Sequence, residues 1–262
     1  MLQRIYATMV LASSMAAAAA DLPLCPDRPI RFAYFEMGAF YSRGVGIDKD
    51  LVDALQQRSG CSFAAAVQPR ARTWLELERG NLDMTASALS TPEREKFAWF
   101  TDYFVDRNSL LLRTEVSTTI QSLADLVNDN RIRMGVVRGF AHGAELNGYV
   151  EKLRNLGRLE EVEDQEALYR MLSVRRFDAV FGYPYVYVQY LGKNQLADKV
   201  RVVELAMLST TRNYLALSRK AFTQAQAQRW QQLLNAMRAD GSLQAIFQKH
   251  LGAAEARAML KY

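Results

Sequence analysis

The sequence constrains its fold most strongly through an alternation of strand-like and helix-like segments that begins at residue 30. "IRFAYF", "CSFAAAVQ" and "LDMTASAL" are short apolar runs that predict strands. Between them, "IDKDLVDALQQRSG" and "ARTWLELERGN" place apolar residues at helical intervals and meet a glycine at the end, which predicts helices. This strand–helix–strand–helix–strand order is typical of an α/β layer with a mainly parallel sheet.

The same pattern occurs again after the strand-like run "SLLLRTEV". "IRMGVV", "RLEEVE" and "FDAVFGY" predict strands, while "SLADLV", "GAELNGYVEKL" and "QEALYRMLSVRR" predict helices. "YLALSRK" predicts a further strand, and two helices split at Asp240-Gly241 follow it. No linker rich in Gly, Ser or Pro separates the two α/β runs. We therefore expect two lobes hinged by crossing segments rather than two tethered domains.

The first twenty residues have the features of a secretory signal peptide. They contain one basic residue, Arg4, no acidic residue, and the apolar run "IYATMVLASSMAAAAA". The alanines at its end suit cleavage near Ala20. A membrane anchor is disfavoured because the apolar run is too short and no stop-transfer segment follows it. We expect an exported, periplasmic protein.

Export also affects how the two cysteines and the charges are interpreted. Cys25 and Cys61 stand in neither a metal-ligand nor a CxxC spacing, and an oxidising compartment favours a disulfide between them over two free thiols. Without the signal peptide the chain has 32 basic and 28 acidic residues, a formal charge of +4. Charges of both signs are interspersed, which indicates a solvated surface rather than a nucleic-acid interface.

An arginine occupies an unusual position in the stretch "SALSTPER". Thr91 and Pro92 predict a helix start, which makes Arg94 the third helical residue. A capping box would have Glu or Gln there, and the helix dipole disfavours a cation in the first turn by about 0.3–1 kcal/mol. Arg94 either pairs with Glu93 or Glu95 at the surface or binds a ligand beside the carboxyl ends of the strands.

Five stretches resemble a known protein family in their residue patterns and in their order along the chain: "GIDKDLVDALQQRSG", "LERGNLDMTASALSTPEREKFAWFTDYF", "RMGVVRGFAHG", "RRFDAVFG" and "LNAMRADGSLQAIFQKHLG". The family is the bacterial periplasmic solute-binding proteins of the polar amino-acid type, family 3. The resemblance implies a two-lobed Venus-flytrap fold of the α/β class, each lobe a mainly parallel sheet flanked by helices. Lobe 1 would contain residues 21–112 plus 209–262 and lobe 2 residues 113–208, with ligand in the cleft and closure by a hinge motion.

The resemblance also implies a function. The closed form would present a small-molecule solute to the permease of an ABC importer in the inner membrane. We expect a monomer with no cofactor, no metal and no nucleic-acid partner. A sensor that docks to a membrane receptor is one alternative. A cyclohexadienyl dehydratase-like enzyme of the same fold is another, disfavoured because its acid catalyst is replaced by Val186 and no other catalytic set is apparent.

Arg94 matches the family arginine that forms a paired salt bridge with the ligand's α-carboxylate. A planar guanidinium fits a carboxylate in a way that lysine does not. Two other ligand-binding groups of the family are absent. Leu89 stands where the family has Ser or Thr five residues before the arginine, with Ser87 and Ser90 nearby. Tyr183 stands where the family has the aspartate that holds the α-ammonium. A buried ammonium without a counter-charge is costly, so the sequence disfavours an ordinary L-α-amino acid.

The remaining candidate residues suggest a cationic cleft. Arg70 falls where many family members have a stacking aromatic, Phe140 replaces a family hydroxyl residue, and Glu36 is the only acid in sequence register. We therefore predict an anionic or carboxylate-bearing ligand. The aromatic residues expected to pack its body are Tyr34, Phe40, Tyr41 and Tyr183. The tyrosines of "YPYVYVQY" alternate, so only one face can reach the cleft, and Tyr183 is alternatively a core residue, as Trp74 is expected to be.

Overall fold

The computed structural model describes residues 24–116, 120–204 and 210–262. The predicted signal peptide, residues 1–20, lies outside these ranges, as does the expected lobe junction at residues 208 and 209. None of the helices in these ranges combines the length and the apolar character that a membrane span requires.

Strands and helices alternate along the described chain. The strands are β1 (Ile30–Tyr34), β2 (Phe63–Val67), β3 (Met84–Ala88), β4 (Ala98–Asp106), β5 (Ser109–Arg113), β6 (Met134–Val137), β7 (Leu159–Val162), β8 (Ala179–Gly182), β9 (Val200–Val203) and β10 (Thr211–Ser218). The helices are α1 (Ile47–Ser59), α2 (Arg70–Arg79), α3 (Pro92–Glu95), α4 (Leu123–Asn128), α5 (Ala144–Asn155), α6 (Gln165–Ser173), α7 (Pro184–Lys193), α8 (Gln224–Ala239), α9 (Ser242–Leu251) and α10 (Ala253–Leu260).

The strands form two five-stranded sheets with the orders β2-β1-β3-β10-β4 and β7-β6-β8-β5-β9. In each sheet four strands run in one direction and one runs against them. The reversed strand is β10 in the first sheet, where it pairs with β3 and β4, and β5 in the second, where it pairs with β8 and β9. The other pairings are parallel. The predicted two-lobed α/β fold with mainly parallel sheets is confirmed.

The chain passes from the first sheet to the second through two residues, Arg107 and Asn108. It returns between β9 and β10. All of β5 pairs within the second sheet, so the boundary expected after residue 112 falls inside a strand of that sheet. Each lobe is thus a complete sheet, and the connections between the lobes are short.

Most local signals in the sequence produce the expected geometry. Gly60 and Gly80 end α1 and α2 with φ angles of 74° and 81°, the left-handed conformation that glycine adopts without steric cost. The Thr91 hydroxyl accepts a hydrogen bond from the Arg94 amide at 3.3 Å, so the predicted helix start is correct. The alternation expected for the tyrosines of "YPYVYVQY" is not formed, because Pro184 is the first residue of α7, where its fixed φ suits a helix.

The predicted disulfide joins Cys25, ahead of β1, to Cys61, ahead of β2, with the two Cα atoms 5.3 Å apart. It closes a loop with a sequence separation of 36 residues around β1 and α1. The bond therefore fixes the N-terminal segment to one edge of the first sheet.

Replacing both cysteines by serine should lower the free energy of unfolding by about 3–4 kcal/mol, because the unfolded chain regains the entropy that this loop restricts. Urea unfolding of the mature protein measures the change. A reductant should destabilise the native protein by a similar amount and leave the double variant unaffected. Equal stability of the two proteins under oxidising conditions would contradict the prediction.

A buried carboxylate fixes the same segment from the other side. Asp83, fully buried, accepts hydrogen bonds from the Arg28 side chain at 2.9 Å and from the Arg31 side chain and backbone at 2.6 and 2.8 Å. Burial alone would raise the pKa of Asp83, but the hydrogen bonds from Arg28 and Arg31 outweigh it and hold the pKa at about 2.

The Asp83→Asn variant should lose about 2 kcal/mol of stability at pH 7. Because the folded pKa lies below the unfolded value of about 3.9, this contribution is complete above that value and is lost as the pH falls toward 2. The unfolding curves of the two proteins should therefore differ at pH 7 and approach each other at pH 2.5. Asp53→Asn, which removes an exposed carboxylate paired with Lys49, is the matched control and should change stability by less than about 0.5 kcal/mol.

Candidate functional site

Two adjoining cavities lie where strand ends of the two lobes face each other. The smaller, about 20 Å³, is lined by residues at or after the ends of β3, β6 and β8, among them Ser87, Leu89, Ala141 and Tyr183. The larger, about 280 Å³, extends toward α6 and includes Glu163 and Asp164. Ligands of mainly parallel sheets bind at such strand ends, so this cleft is the candidate site.

Two arginines from lobe 1 lie over the ring of Trp74. The guanidinium carbon of Arg94 is 3.8 Å from the ring centre and that of Arg70 is 4.6 Å away. Arg70 also lies 4.0 Å over the Phe35 ring and lines both cavities. Trp74 is buried as expected, yet its ring forms the base of a cationic site, a role that the sequence did not indicate.

Arg94 and Trp74 connect the two lobes through one carbonyl group. The carbonyl oxygen of Gly139, in lobe 2, accepts hydrogen bonds from Arg94 Nη2 at 2.8 Å and from Trp74 Nε1 at 3.1 Å. Arg94 Nη1 donates to the Leu89 carbonyl at 2.9 Å. Arg94 thus points between the lobes, and the alternative of a surface pair with Glu93 or Glu95 is not formed.

Neither guanidinium has a carboxylate partner among the residues that the structure describes. Arg70 donates to the Ser87 carbonyl at 2.9 Å and to Thr85 Oγ1 at 3.3 Å. Burial lowers the pKa of Arg94 to about 10. Burial, assisted by the charge of Arg94, lowers the pKa of Arg70 well below its ordinary value. Both cations are therefore held at an electrostatic cost that an anion in the cleft would reduce.

The Ser87 hydroxyl faces the interior of lobe 1. It donates to both carboxylate oxygens of Asp48, at 2.9 and 3.0 Å, and Tyr103 donates to the same carboxylate at 3.1 Å. Burial raises the pKa of Asp48 to about 7, although the two hydroxyl donors oppose this shift. Ser87 therefore lines the small cavity with its hydroxyl already engaged. Asp48, on the first turn of α1, gave no recognisable signal in the sequence.

Three aromatic residues expected in the cleft lie in the core of lobe 1 instead. The rings of Tyr34 and Tyr41 stack with their centres 4.5 Å apart, and Phe40 packs 4.7 Å from Phe104. All are buried, and none lines either cavity. Alternation along the end of β1 explains the position of Tyr34, because it directs Tyr34 to the core and Phe35 to the cleft.

The other expected residues are distributed around the cleft. Glu36 and Phe140 line the larger cavity, while Leu89, Phe140 and Tyr183 line the smaller one. Ser90 lines neither, and its hydroxyl hydrogen bonds to Glu95. The rings of Phe35 and Phe140, from opposite lobes, meet edge to face at 5.6 Å, and both residues line both cavities.

A polar group at the hinge also engages lobe 2. Asp106, the last residue of β4, accepts a hydrogen bond from the hydroxyl of Tyr185 on α7, and the Tyr185 ring stacks on Tyr183 at 5.3 Å. Burial raises the pKa of Asp106 to about 7. The lobes therefore touch at the hinge as well as at Gly139.

The contact at Gly139 leaves no room for a side chain. Its φ angle is +81°, and an added Cβ would lie 2.7 Å from the backbone nitrogen and Cα of Ala71, at the start of α2. Glycine is thus required both by the backbone conformation and by the close approach of the lobes.

Gly139→Ala should destabilise the closed protein by about 1–3 kcal/mol, since the backbone is strained and the Cβ overlaps α2. Gly148→Ala is the matched control: this residue lies within α5 with open space around it, so alanine should stabilise by about 0.5–1 kcal/mol. Urea unfolding measures both, and small-angle scattering should show a larger radius of gyration for Gly139→Ala. Unchanged stability and radius would contradict the assignment of Gly139 as the interlobe contact.

The fold and cleft define a class, the two-lobed binding proteins that enclose a small molecule between their lobes. Residues 32–253 match the family model described as "Bacterial extracellular solute-binding proteins, family 3", and the chain belongs to this family. Its members are mainly binding proteins rather than enzymes. The predicted family is confirmed. No curated protein matches the chain.

Solved structures support the same fold at low sequence identity. The arginine-, lysine-, histidine-binding protein ArtJ of Geobacillus stearothermophilus is 18% identical, with a TM-score of 0.69 over 86% of this chain and 96% of that one. The amino acid ABC transporter substrate-binding protein AbpA of Streptococcus pneumoniae is 16% identical, with a TM-score of 0.68 over 89% and 96%. A histidine kinase sensor domain with similarity to periplasmic binding proteins is 16% identical, with a TM-score of 0.71 over 90% and 98%.

Proposed function

We propose that the protein captures a small carboxylate-bearing solute between its lobes in the periplasm and delivers it to the permease of an ABC importer. The observation that carries this proposal is a pair of guanidiniums at the wall of the cleft, the buried Arg70 and the partly buried Arg94, with no carboxylate partner in the described chain. A carboxylate bound there would receive charge-assisted hydrogen bonds and replace the backbone carbonyls that now accept from these arginines.

The binding step follows from the geometry of the lobes. Because Arg94 belongs to lobe 1 and Gly139 to lobe 2, a carboxylate at Arg94 can bridge to the amides around Gly139 only when the lobes are close together. Solute binding would therefore favour the closed form, the form that a permease distinguishes from the open one.

Import is favoured over two alternatives. AbpA functions in amino acid transport and the histidine kinase domain in sensing, and both share this fold. We choose import because the family is one of solute-binding proteins. Catalysis is disfavoured because Val186 and Tyr183 occupy the positions of the dehydratase acid residues. Incubation with prephenate or arogenate should give no product, and turnover would contradict this part of the proposal.

Calorimetric titration of the mature protein against amino acids and organic acids should identify at least one carboxylate solute that binds. Arg94→Gln should then weaken its binding by about 10- to 100-fold, the effect of losing one charge-assisted pair, and Arg94→Lys should restore only part of the affinity. Arg72→Gln, which removes an exposed cation from α2, is the matched control and should bind normally.

Thermal unfolding of each variant separates lost binding from lost folding. A folded Arg94→Gln variant that binds the solute as tightly as the native protein would contradict the role of Arg94. Failure of every carboxylate in the panel to bind would contradict the proposed function itself.

A further inference from the structure

Ser87 has a backbone conformation that is unusual for its residue type. Its φ angle is +48°, in the left-handed region that glycine enters freely and that a side chain disfavours. The pairing of β3 with β10 is irregular at the same place, because β3 has one residue more than β10 between its pairs at Thr85 and Ala88. Ser87 therefore lies in a β-bulge, a feature that redirects groups of a strand and is frequent beside functional sites.

Two residues from other elements hold Ser87 in this conformation. Asp48, on the first turn of α1, accepts hydrogen bonds from the Ser87 hydroxyl at 2.9 and 3.0 Å. Tyr103, on β4, accepts from the Ser87 amide at 2.9 Å and donates to Asp48 at 3.1 Å. Both residues are buried, and neither lines the two cavities of the cleft. Rotation of the Ser87 backbone would break these bonds and leave a buried carboxylate with fewer donors.

The Ser87 carbonyl is directed at Arg70. It accepts the shortest hydrogen bond of this guanidinium, from Nη2 at 2.9 Å, while Nη1 makes longer contacts at 3.3 and 3.5 Å. The rings of Phe35 and Trp74 also contact the guanidinium. A ring face attracts the cation without selecting the direction of its individual nitrogens. The Ser87 carbonyl supplies that directional contact.

We propose that Asp48 and Tyr103 are positioning residues for solute binding. They hold the Ser87 carbonyl toward Arg70, and this carbonyl holds the Arg70 guanidinium at the wall of both cavities. A bound carboxylate would replace the longer contacts of Nη1 and leave the bond to Ser87 in place. Because Arg70 is then ordered before the solute arrives, binding does not bear the entropy loss of ordering it. This inference rests on the proposed function, since it takes a carboxylate to bind at the cationic wall.

The charge of Asp48 alone predicts the opposite effect on binding. Burial lowers the pKa of Arg70, and the negative charge of Asp48 opposes this shift. Removing that charge would leave the cleft more positive and favour an anion. Removing the positioning contact would weaken the binding of an anion. The sign of the change in affinity therefore distinguishes the two roles.

Comparison of Ser87→Gly with Ser87→Ala tests the role of the backbone conformation. Both substitutions remove the hydroxyl, but only glycine adopts a φ of +48° without steric cost. Acetate is the probe, titrated into the ¹⁵N-labelled mature protein and followed by NMR. Ser87→Ala should weaken acetate binding by about 10-fold, and Ser87→Gly by less than about 3-fold.

Asp48→Ala tests the same arrangement from its other side. In the native background it should weaken acetate binding by about 10-fold, because the Ser87 hydroxyl loses its acceptor. Combined with Ser87→Gly it should cause no further weakening, since glycine keeps the conformation unaided. Ser59→Ala and Ser59→Gly are the matched controls: this serine ends α1, donates to the Leu55 carbonyl and lines neither cavity, so both should bind acetate normally.

Rotation of the Arg70 guanidinium, measured by NMR without any solute, reports the positioning directly. Exchange between its two Nη atoms should be slow in the native protein and in Ser87→Gly, and several-fold faster in Ser87→Ala and Asp48→Ala. A purely structural role would lower the thermal stability of the variants without changing this exchange. If Ser87→Ala does not fold, Tyr103→Phe, which removes the acceptor of the Ser87 amide, replaces it and should also accelerate the exchange.

The outcomes separate this inference from the proposed function. Equal acetate affinity and equal Arg70 exchange in Ser87→Ala and Ser87→Gly overturn the positioning role, as does tighter acetate binding by Asp48→Ala, while carboxylate capture stands. If the native protein binds neither acetate nor any carboxylate in the calorimetric panel, the proposed function is wrong and this inference with it.

Discussion

The closed arrangement of this protein depends on the carbonyl group of Gly139. Two lobe 1 side chains, the Trp74 indole and the Arg94 guanidinium, donate to that one oxygen, and the absence of a Cβ lets α2 approach the same residue. Because both arginines also lie over Trp74, a single ring supports the cationic wall and contributes to the interlobe contact. Cleft charge and lobe closure are therefore determined by the same few atoms.

This coupling changes how the arginine in "SALSTPER" is understood. In the sequence it is a cation in the first turn of a helix, where the dipole disfavours it. In the structure the helix is only four residues long, Pro92–Glu95, so the dipole penalty is small beside the cost of burying the guanidinium. Arg94 offsets part of that cost by donating to the Leu89 carbonyl in its own lobe and to the Gly139 carbonyl across the cleft.

The fold was largely predictable from the sequence because its signals are local. Apolar runs, capping residues and terminal glycines set the strands and helices around Gly60, Gly80 and Thr91, and their order sets the α/β class. The site was less predictable because its determinants are non-local. Asp48, Trp74 and Gly139 act through partners distant in sequence, and a one-residue alternation separates the core residue Tyr34 from the cleft residue Phe35. The helix beginning at Pro184 was missed because alternating tyrosines resemble a strand pattern.

The two sheets share one strand order, with the reversed strand in the equivalent place, and each reversed strand is bonded to a neighbour on both edges. Each crossing joins an edge strand of one sheet, β4 or β9, to the internal reversed strand of the other sheet, β5 or β10. A rotation of the backbone at Arg107 and Asn108, which belong to neither sheet, would move one sheet relative to the other as a preformed unit. Mutations at strand ends can then alter which solute is chosen while the mechanics of opening are preserved, so recognition and movement can evolve as separate properties.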